Sequence, residues 1–215
     1  MESRWVALDV GETLIDESRV WSVWAQVLGI PRLTLMAALG AEVALGEDHV
    51  QAFDLVGVPD WRDHWEEVER VYGGFTADDC YPDALPAVQE LCARGYRVAI
   101  VANQPARRTP ELRAIGFDPD VMAMSDEMGV HKPDPAFFAR ILQVSGLPAE
   151  AIAYVGDRVD NDVVPAAQAG MVAVHVRRGP WGVLQSDWPG AERAALRAGS
   201  LAELPDRLGS RPAPA

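Results

Sequence analysis

Short apolar runs bounded by turn residues recur along the chain at Trp5 to Val10, Arg97 to Ala102, Val121 to Met124, Ala151 to Val155 and Met171 to Val176. Rich in Val, Ile and Ala, they read as buried strands of a parallel sheet. Between them the pattern predicts helices over Asp83 to Arg94, Thr109 to Ile115, Pro135 to Ser145 and Asp162 to Ala169, followed by Gly95, Gly116, Gly146 and Gly170. A glycine just past the last turn is a helix stop signal. Such alternation specifies an α/β fold with a doubly wound, Rossmann-like parallel sheet, whose ligands bind at the carboxyl ends of the strands.

The interval between the first strand and the helix at Asp83 breaks this rhythm. Its pattern is helical throughout, with segments at Glu17 to Leu28, Pro31 to Leu45, Asp48 to Val56 and Pro59 to Tyr72, punctuated by Gly29, Gly46, Gly57 and Gly73-Gly74. We therefore expect a core formed by residues 1–15 and 80–208, a small all-helical insertion at 16–79 emerging from the catalytic edge, and a fraying Pro-rich tail at 209–215. Trp21 and Trp24 share one helix face and Trp61 and Trp65 another. These rings suit the core of the insertion; alternatively one of them, with Arg19, Arg32 or Arg62, faces the active site.

Composition narrows the partners. The 215 residues are 49% hydrophobic and 24% charged, as in ordinary globular chains, and the formal charge is -13. That field repels nucleic acid and anionic membrane surfaces. Cys80 and Cys92 lack the spacing of a redox or zinc motif and read as reduced thiols. No signal-peptide pattern precedes the first strand, and the apolar stretch from Leu33 to Gly46 is too short to span a bilayer. A cytoplasmic protein is expected.

Three segments carry candidate chemistry. Asp9-Val10-Gly11-Glu12-Thr13-Leu14 puts a carboxylate at the end of a strand, followed by a tight turn; alone, that position also suits a helix cap or a solvated turn. In His131-Lys132-Pro133-Asp134-Pro135, Asp134 caps a helix that starts with proline, so Lys132 sits in a rigid turn. Lys132 is the only lysine among 19 basic residues, which points to a need for a compact point charge rather than a planar fork. Gly156-Asp157-Arg158-Val159-Asp160-Asn161-Asp162 crowds carboxylates at another strand end, a density that calls for a cation, and oxygen ligands suit Mg²⁺.

In this order (a strand with DxxxTL, a helical insertion, a strand ending near Asn103, the Lys-Pro-Asp-Pro helix start, a strand with GDxxxxD) the chain resembles the haloacid dehalogenase-like hydrolase superfamily over almost its whole length. The insertion is similar to that superfamily's first-type cap. The resemblance implies that Asp9 is a nucleophile that forms an aspartyl-phosphate, and that Asp9, the Gly11 carbonyl and Asp157 bind Mg²⁺. It further implies that Lys132 pairs with Asp9 and the phosphoryl oxygens, that Asp162 orients Lys132 and the metal's water shell, and that Ala102 and Asn103 line the phosphate pocket. A carboxylate attacks a phosphoryl group only when that group's charge is masked, which a metal and an ammonium achieve together.

Two positions depart from the family pattern. Phosphatases of the superfamily carry a second Asp two residues after the nucleophile, where this chain has Gly11, and losing a positioned acid and base typically costs about 10²- to 10⁴-fold. Glu12 adjoins it, but a neighbour in a tight turn should point elsewhere. Ala102 stands where relatives place Ser or Thr, which leaves the backbone N–H of Asn103 for a phosphoryl oxygen. The expected function is a Mg²⁺-dependent phosphatase with weakened general-acid power, acting on a small phosphorylated metabolite. The alternatives are a phosphate- and Mg²⁺-binding regulatory protein with negligible turnover and a 2-haloacid dehalogenase.

Overall fold

The structure is a computed structural model and describes residues 5–209. Six strands, β1 (Trp5–Leu8), β2 (Arg97–Ala102), β3 (Val121–Met124), β4 (Ile152–Gly156), β5 (Val172–Val176) and β6 (Leu196–Ala198), form one sheet in the order β3-β2-β1-β4-β5-β6. Every pairing is parallel, with Leu8 opposite Ile100 on one side and Val155 on the other. The sheet reverses direction of winding at β1 and β4, so the crevice for a ligand opens where both of these strands end.

Alternation along the central strand divides its side chains between two cores. Val6 and Leu8 join the layer that includes Leu14, Val88, Leu91 and Leu204, while Trp5 and Ala7 join the opposite layer with Phe137, Phe138 and Tyr154. Burial on both faces explains why these strands read as continuous apolar runs.

The insertion after β1 contains four helices, α1 (Ser18–Val27), α2 (Arg32–Leu45), α3 (Gln51–Leu55) and α4 (Trp65–Tyr72). Their facing aromatic residues pack into one cluster, Phe53 stacked on Trp61 at 4.8 Å and against Trp24 at 5.0 Å. The remaining helices flank the sheet: α5 (Ala84–Ala93), α6 (Arg108–Ile115), α7 (Ser125–Met128), α8 (Pro135–Ser145), α9 (Val164–Gln168), α10 (Gly179–Leu184) and α11 (Leu204–Gly209). As the Asp-Pro sequence predicts, the Asp134 side chain accepts the Ala136 N–H at 2.8 Å, with Pro135 in the first turn.

Some elements differ from expectation. The helix predicted over Asp162 to Ala169 is a wide π-turn at Val159–Val163 continued by α9, because the Asp162 carboxylate is drawn inward instead of standing on a regular helical surface. The segment Pro59 to Tyr72 is broken into a 3₁₀ turn, Trp61–His64, and α4. The pattern gave no sign of β6, α7, α10 or α11. Gly209 ends α11, and the rest of the expected tail, 210–215, lies outside the described residues, as does the stretch from Met1 to Arg4. Among the described residues no single helix is long and apolar enough to cross a membrane.

Candidate active site

Asp9 follows β1 directly, and its N–H donates to the Val155 carbonyl of β4 at 2.9 Å, which ties the residue to the switch point of the sheet. The chain then turns sharply. Glu12 adopts a left-handed φ of 50°, and its buried carboxylate accepts the Tyr81 hydroxyl at 2.5 Å and the Glu17 N–H at 2.9 Å. Glu12 therefore braces the loop, and both of its carboxylate oxygens are held there.

Lys132 bridges the two carboxylates around it, with Nζ 2.7 Å from Asp9 Oδ1 and 2.6 Å from Asp162 Oδ1. Its backbone is clamped by Asn103, which accepts the Lys132 N–H at 2.7 Å and donates its amide to the Lys132 carbonyl at 2.9 Å. The other Asp162 oxygen accepts the Arg158 N–H at 3.0 Å. Burial works against the Lys132 charge, but Asp162 and Asp9 more than offset it and hold the ammonium pKa well above its ordinary value. Burial also raises Asp9 to about 6, against the downward pull of Lys132. At neutral pH this centre is a charged lysine held between two carboxylates.

Asp157 follows β4, 1% exposed, and its Oδ2 has no hydrogen-bond partner. Its main-chain carbonyl contacts His175 Nε2 at 2.9 Å. A buried partnerless carboxylate oxygen is costly, and burial followed by repulsion from Asp162 and Asp9 pushes the Asp157 pKa well above the usual range. Oxygens from Asp9, Asp157 and Asp162 all lie within 4.8 Å of one another. Three carboxylates against one ammonium leave an excess of negative charge, and an all-oxygen donor set fits a hard divalent cation such as Mg²⁺. Asp9 and Asp157 could hold it, with Gly11 lining the same cavity and Asp162 closer than the sequence alone suggested.

The space beside Gly11 is filled by a residue that sequence reasoning missed. A side chain at position 11 would place its first carbon 2.6 Å from Glu17 Oε1 and 3.1 Å from its Cδ. Glu17 occupies the N-cap of α1, yet its carboxylate makes no capping hydrogen bond and is directed to Gly11 instead. Burial, then the nearby Glu12 and Asp9, pushes Glu17 up to about 8. The available signal was an acidic residue at the start of the first helix after the motif, a position that ordinarily suggests only a favourable cap.

The cavity over this centre measures about 330 Å³ and is roofed by the helical insertion. Asn103, Lys132, Asp157 and Arg158 line its floor, while Ala102 buries its methyl in the core. Trp21, Trp24, Trp61 and Trp65 all line it; the first three are buried in the insertion's core and so are also cavity wall, while Trp65 is partly exposed. The three arginines considered with them do not. Arg19 is tied to Asp79 at 2.6 Å and to the carbonyls of Tyr72 and Gly74, Arg62 lies over the Trp61 ring, and Arg32 is exposed.

A strand-end carboxylate paired with a buried lysine, a second carboxylate cluster on the adjacent strand and a helical roof are the arrangement found together here. Residues 4–170 match the family described as haloacid dehalogenase-like hydrolase, and the chain belongs to it. It is 33% identical over 129 residues to a glyceraldehyde 3-phosphate phosphatase of Methanocaldococcus jannaschii, a match covering 59% of this chain and 55% of that protein. The chain thus spans about half the length of that relative. A phosphoglycolate phosphatase of Aliivibrio fischeri is 29% identical, with 77% of this chain and 80% of the relative covered. In fold it is similar to the crystal structure of a predicted phosphoglycolate phosphatase from Haemophilus somnus, with a TM-score of 0.74, 20% identity, and 97% and 99% of the two chains covered.

Proposed function

We propose that this protein is a cytoplasmic, Mg²⁺-dependent phosphatase that hydrolyses a small phosphate monoester through an aspartyl-phosphate on Asp9. The observation that carries this reading is the Asp9–Lys132–Asp162 arrangement at the end of β1, beside the partnerless oxygen of Asp157. Phosphatase names among the relatives support it.

Lys132 holds one Asp9 oxygen, leaving the other to attack phosphorus in line with the ester oxygen. The P–O ester bond breaks as the Asp9–phosphorus bond forms, and the ester oxygen takes a proton. Lys132 stabilises charge on the phosphoryl oxygens, Asp162 keeps its ammonium in place, and Asn103 holds its main chain. Mg²⁺, when bound, would further mask the phosphoryl charge and orient the group. Glu17 is our assignment for the proton transfer. Its carboxyl fills the space in which the family places the second Asp side chain, so the role moves to another residue instead of vanishing. In the second half-reaction Glu17 takes the proton from the water that cleaves the aspartyl-phosphate, which returns both carboxyls to their starting states.

The test is hydrolysis of p-nitrophenyl phosphate with and without Mg²⁺. Turnover should need the metal and fall below detection in Asp9→Asn, and beryllium fluoride should raise the melting temperature only when Mg²⁺ and Asp9 are both present. Full turnover by Asp9→Asn would overturn the nucleophile assignment. Beryllium fluoride stabilisation without hydrolysis of any phosphate ester would favour the regulatory alternative.

A further inference from the structure

The chemistry of the cavity above Asp9 also bears on what the phosphate is attached to. At about 330 Å³ it lies near the lower end of the usual range for ligand pockets, roughly 300–1,000 Å³. Its upper wall is built from Trp21, Trp24, Phe53, Trp61 and Trp65 of the insertion and Trp181 of the core. These rings brace one another: Trp21 is stacked on Phe53 at 5.8 Å, and Trp24 meets Trp61 edge to face at 5.5 Å. The wall is thus preformed, and binding need not order it.

The cations lining the cavity already have carboxylate partners. Arg108 reaches it, but its guanidinium is held by Glu69 at 2.9 Å and Glu111 at 3.0 Å, and Arg107 shares Glu69, so two cations and two carboxylates balance. Arg158 is paired with Asp160 at 2.6 Å, and Lys132 with Asp9 and Asp162. His49 is half-buried between Trp21 and Trp181, with Nδ1 3.2 Å from Asp48 Oδ1, and desolvation lowers its pKa, which keeps it neutral at pH 7. Glu17 adds a further carboxyl. A second anionic group on a substrate would be stripped of water here without gaining a free cation.

We infer that the substrate is the phosphate monoester of an uncharged apolar alcohol, ring-bearing or branched. The inference rests on the phosphatase reading above and refines it. It separates this site from one built for phosphorylated hydroxy acids or amino acids, whose carboxylate needs a cation.

The experiment compares kcat/KM with Mg²⁺ for benzyl phosphate, phosphoglycolate, phosphoserine and phosphocholine. Benzyl phosphate should exceed each of the others by tenfold or more, and Trp65→Ala should reduce that preference. A preference for phosphoglycolate, phosphoserine or phosphocholine would overturn the inference. In parallel, Asp9→Asn protein is melted with benzylphosphonate or phosphonoacetate, neither of which has an ester bond to cleave. A larger shift with benzylphosphonate supports the inference even if no ester is hydrolysed, in which case the phosphatase reading falls alone. A larger shift with phosphonoacetate, or none with either, refutes it.

Discussion

Replacing Glu17 by Gln keeps the bulk of the side chain beside Gly11 and removes its ability to give or take a proton. If that carboxyl protonates the leaving oxygen, the loss should depend on how much the leaving oxygen needs a proton. Positioned proton transfer contributes about 10²- to 10⁴-fold, which corresponds to roughly 3–5 kcal/mol of barrier. For an alkyl phosphate, whose leaving alkoxide is a strong base, Glu17→Gln should lose that full factor; for p-nitrophenyl phosphate the bond-breaking half-reaction should lose less than tenfold. The assay is the slope of log kcat/KM against leaving-group basicity, which should steepen in the variant. The structure supplies a second arm. Gly11→Asp alone should not raise activity, since its Cβ would lie 2.6 Å from Glu17 Oε1 and two carboxyls would compete for one space. The double variant Gly11→Asp with Glu17→Ala should recover alkyl phosphate turnover. Equal losses on both substrate classes, or a gain from Gly11→Asp in the presence of Glu17, would refute the assignment.

Lys132→Met should destabilise the fold by about 3–5 kcal/mol in urea titrations at pH 7, because it strands Asp9 and Asp162 as buried charges. Asp157→Asn should do the reverse in EDTA. Folding the native carboxyl at pH 7 requires either burying its charge or taking up a proton, so the variant should melt at least about 2–4 °C higher, with a gain that grows as pH rises from 5 to 7, and should lose stabilisation by Mg²⁺. At Asp83 burial would raise the pKa, but two Arg178 hydrogen bonds and one from Ser200 hold it at about 2. Its depressed pKa gives stability that is present above about pH 4 and lost as the pH falls through 2. Asp83→Asn should therefore cost about 2 kcal/mol at pH 7 and flatten the acid limb of the stability profile between pH 4 and 2.

The central strands and the floor of the candidate site were legible because local rules decide them. Buried parallel strands show as apolar runs, and β2 and β3 match the predicted bounds, as does α8, whose start is set by Asp134-Pro135 and whose stop is set by Gly146. Lys132 stood out as the single lysine, and it lies between Asp9 and Asp162, the neighbours that the family resemblance implied for it. What escaped depends on paths through space. Asn103 was expected to offer its backbone to phosphate, and the structure shows its side chain holding the Lys132 main chain across 29 positions of sequence. β6 has three residues, one of them exposed, too few to show a period. Glu17 was hidden because its role depends on the left-handed turn at Glu12, a conformation that non-glycine residues seldom adopt and that no pattern of polarity announces.

The pairing of Gly11 with Glu17 has a consequence for how such chains are compared. The volume beside the nucleophile is the quantity that must be filled, and the chain can fill it from six positions downstream as well as from the motif itself. Read one column at a time, an alignment would score Gly11 as a lost catalytic residue and file the protein among inactive relatives. Read as a covarying pair, a small residue at one position with an acidic residue at the other, the same letters describe a relocated function. Homologues carrying both should hydrolyse esters that homologues carrying the glycine alone leave intact.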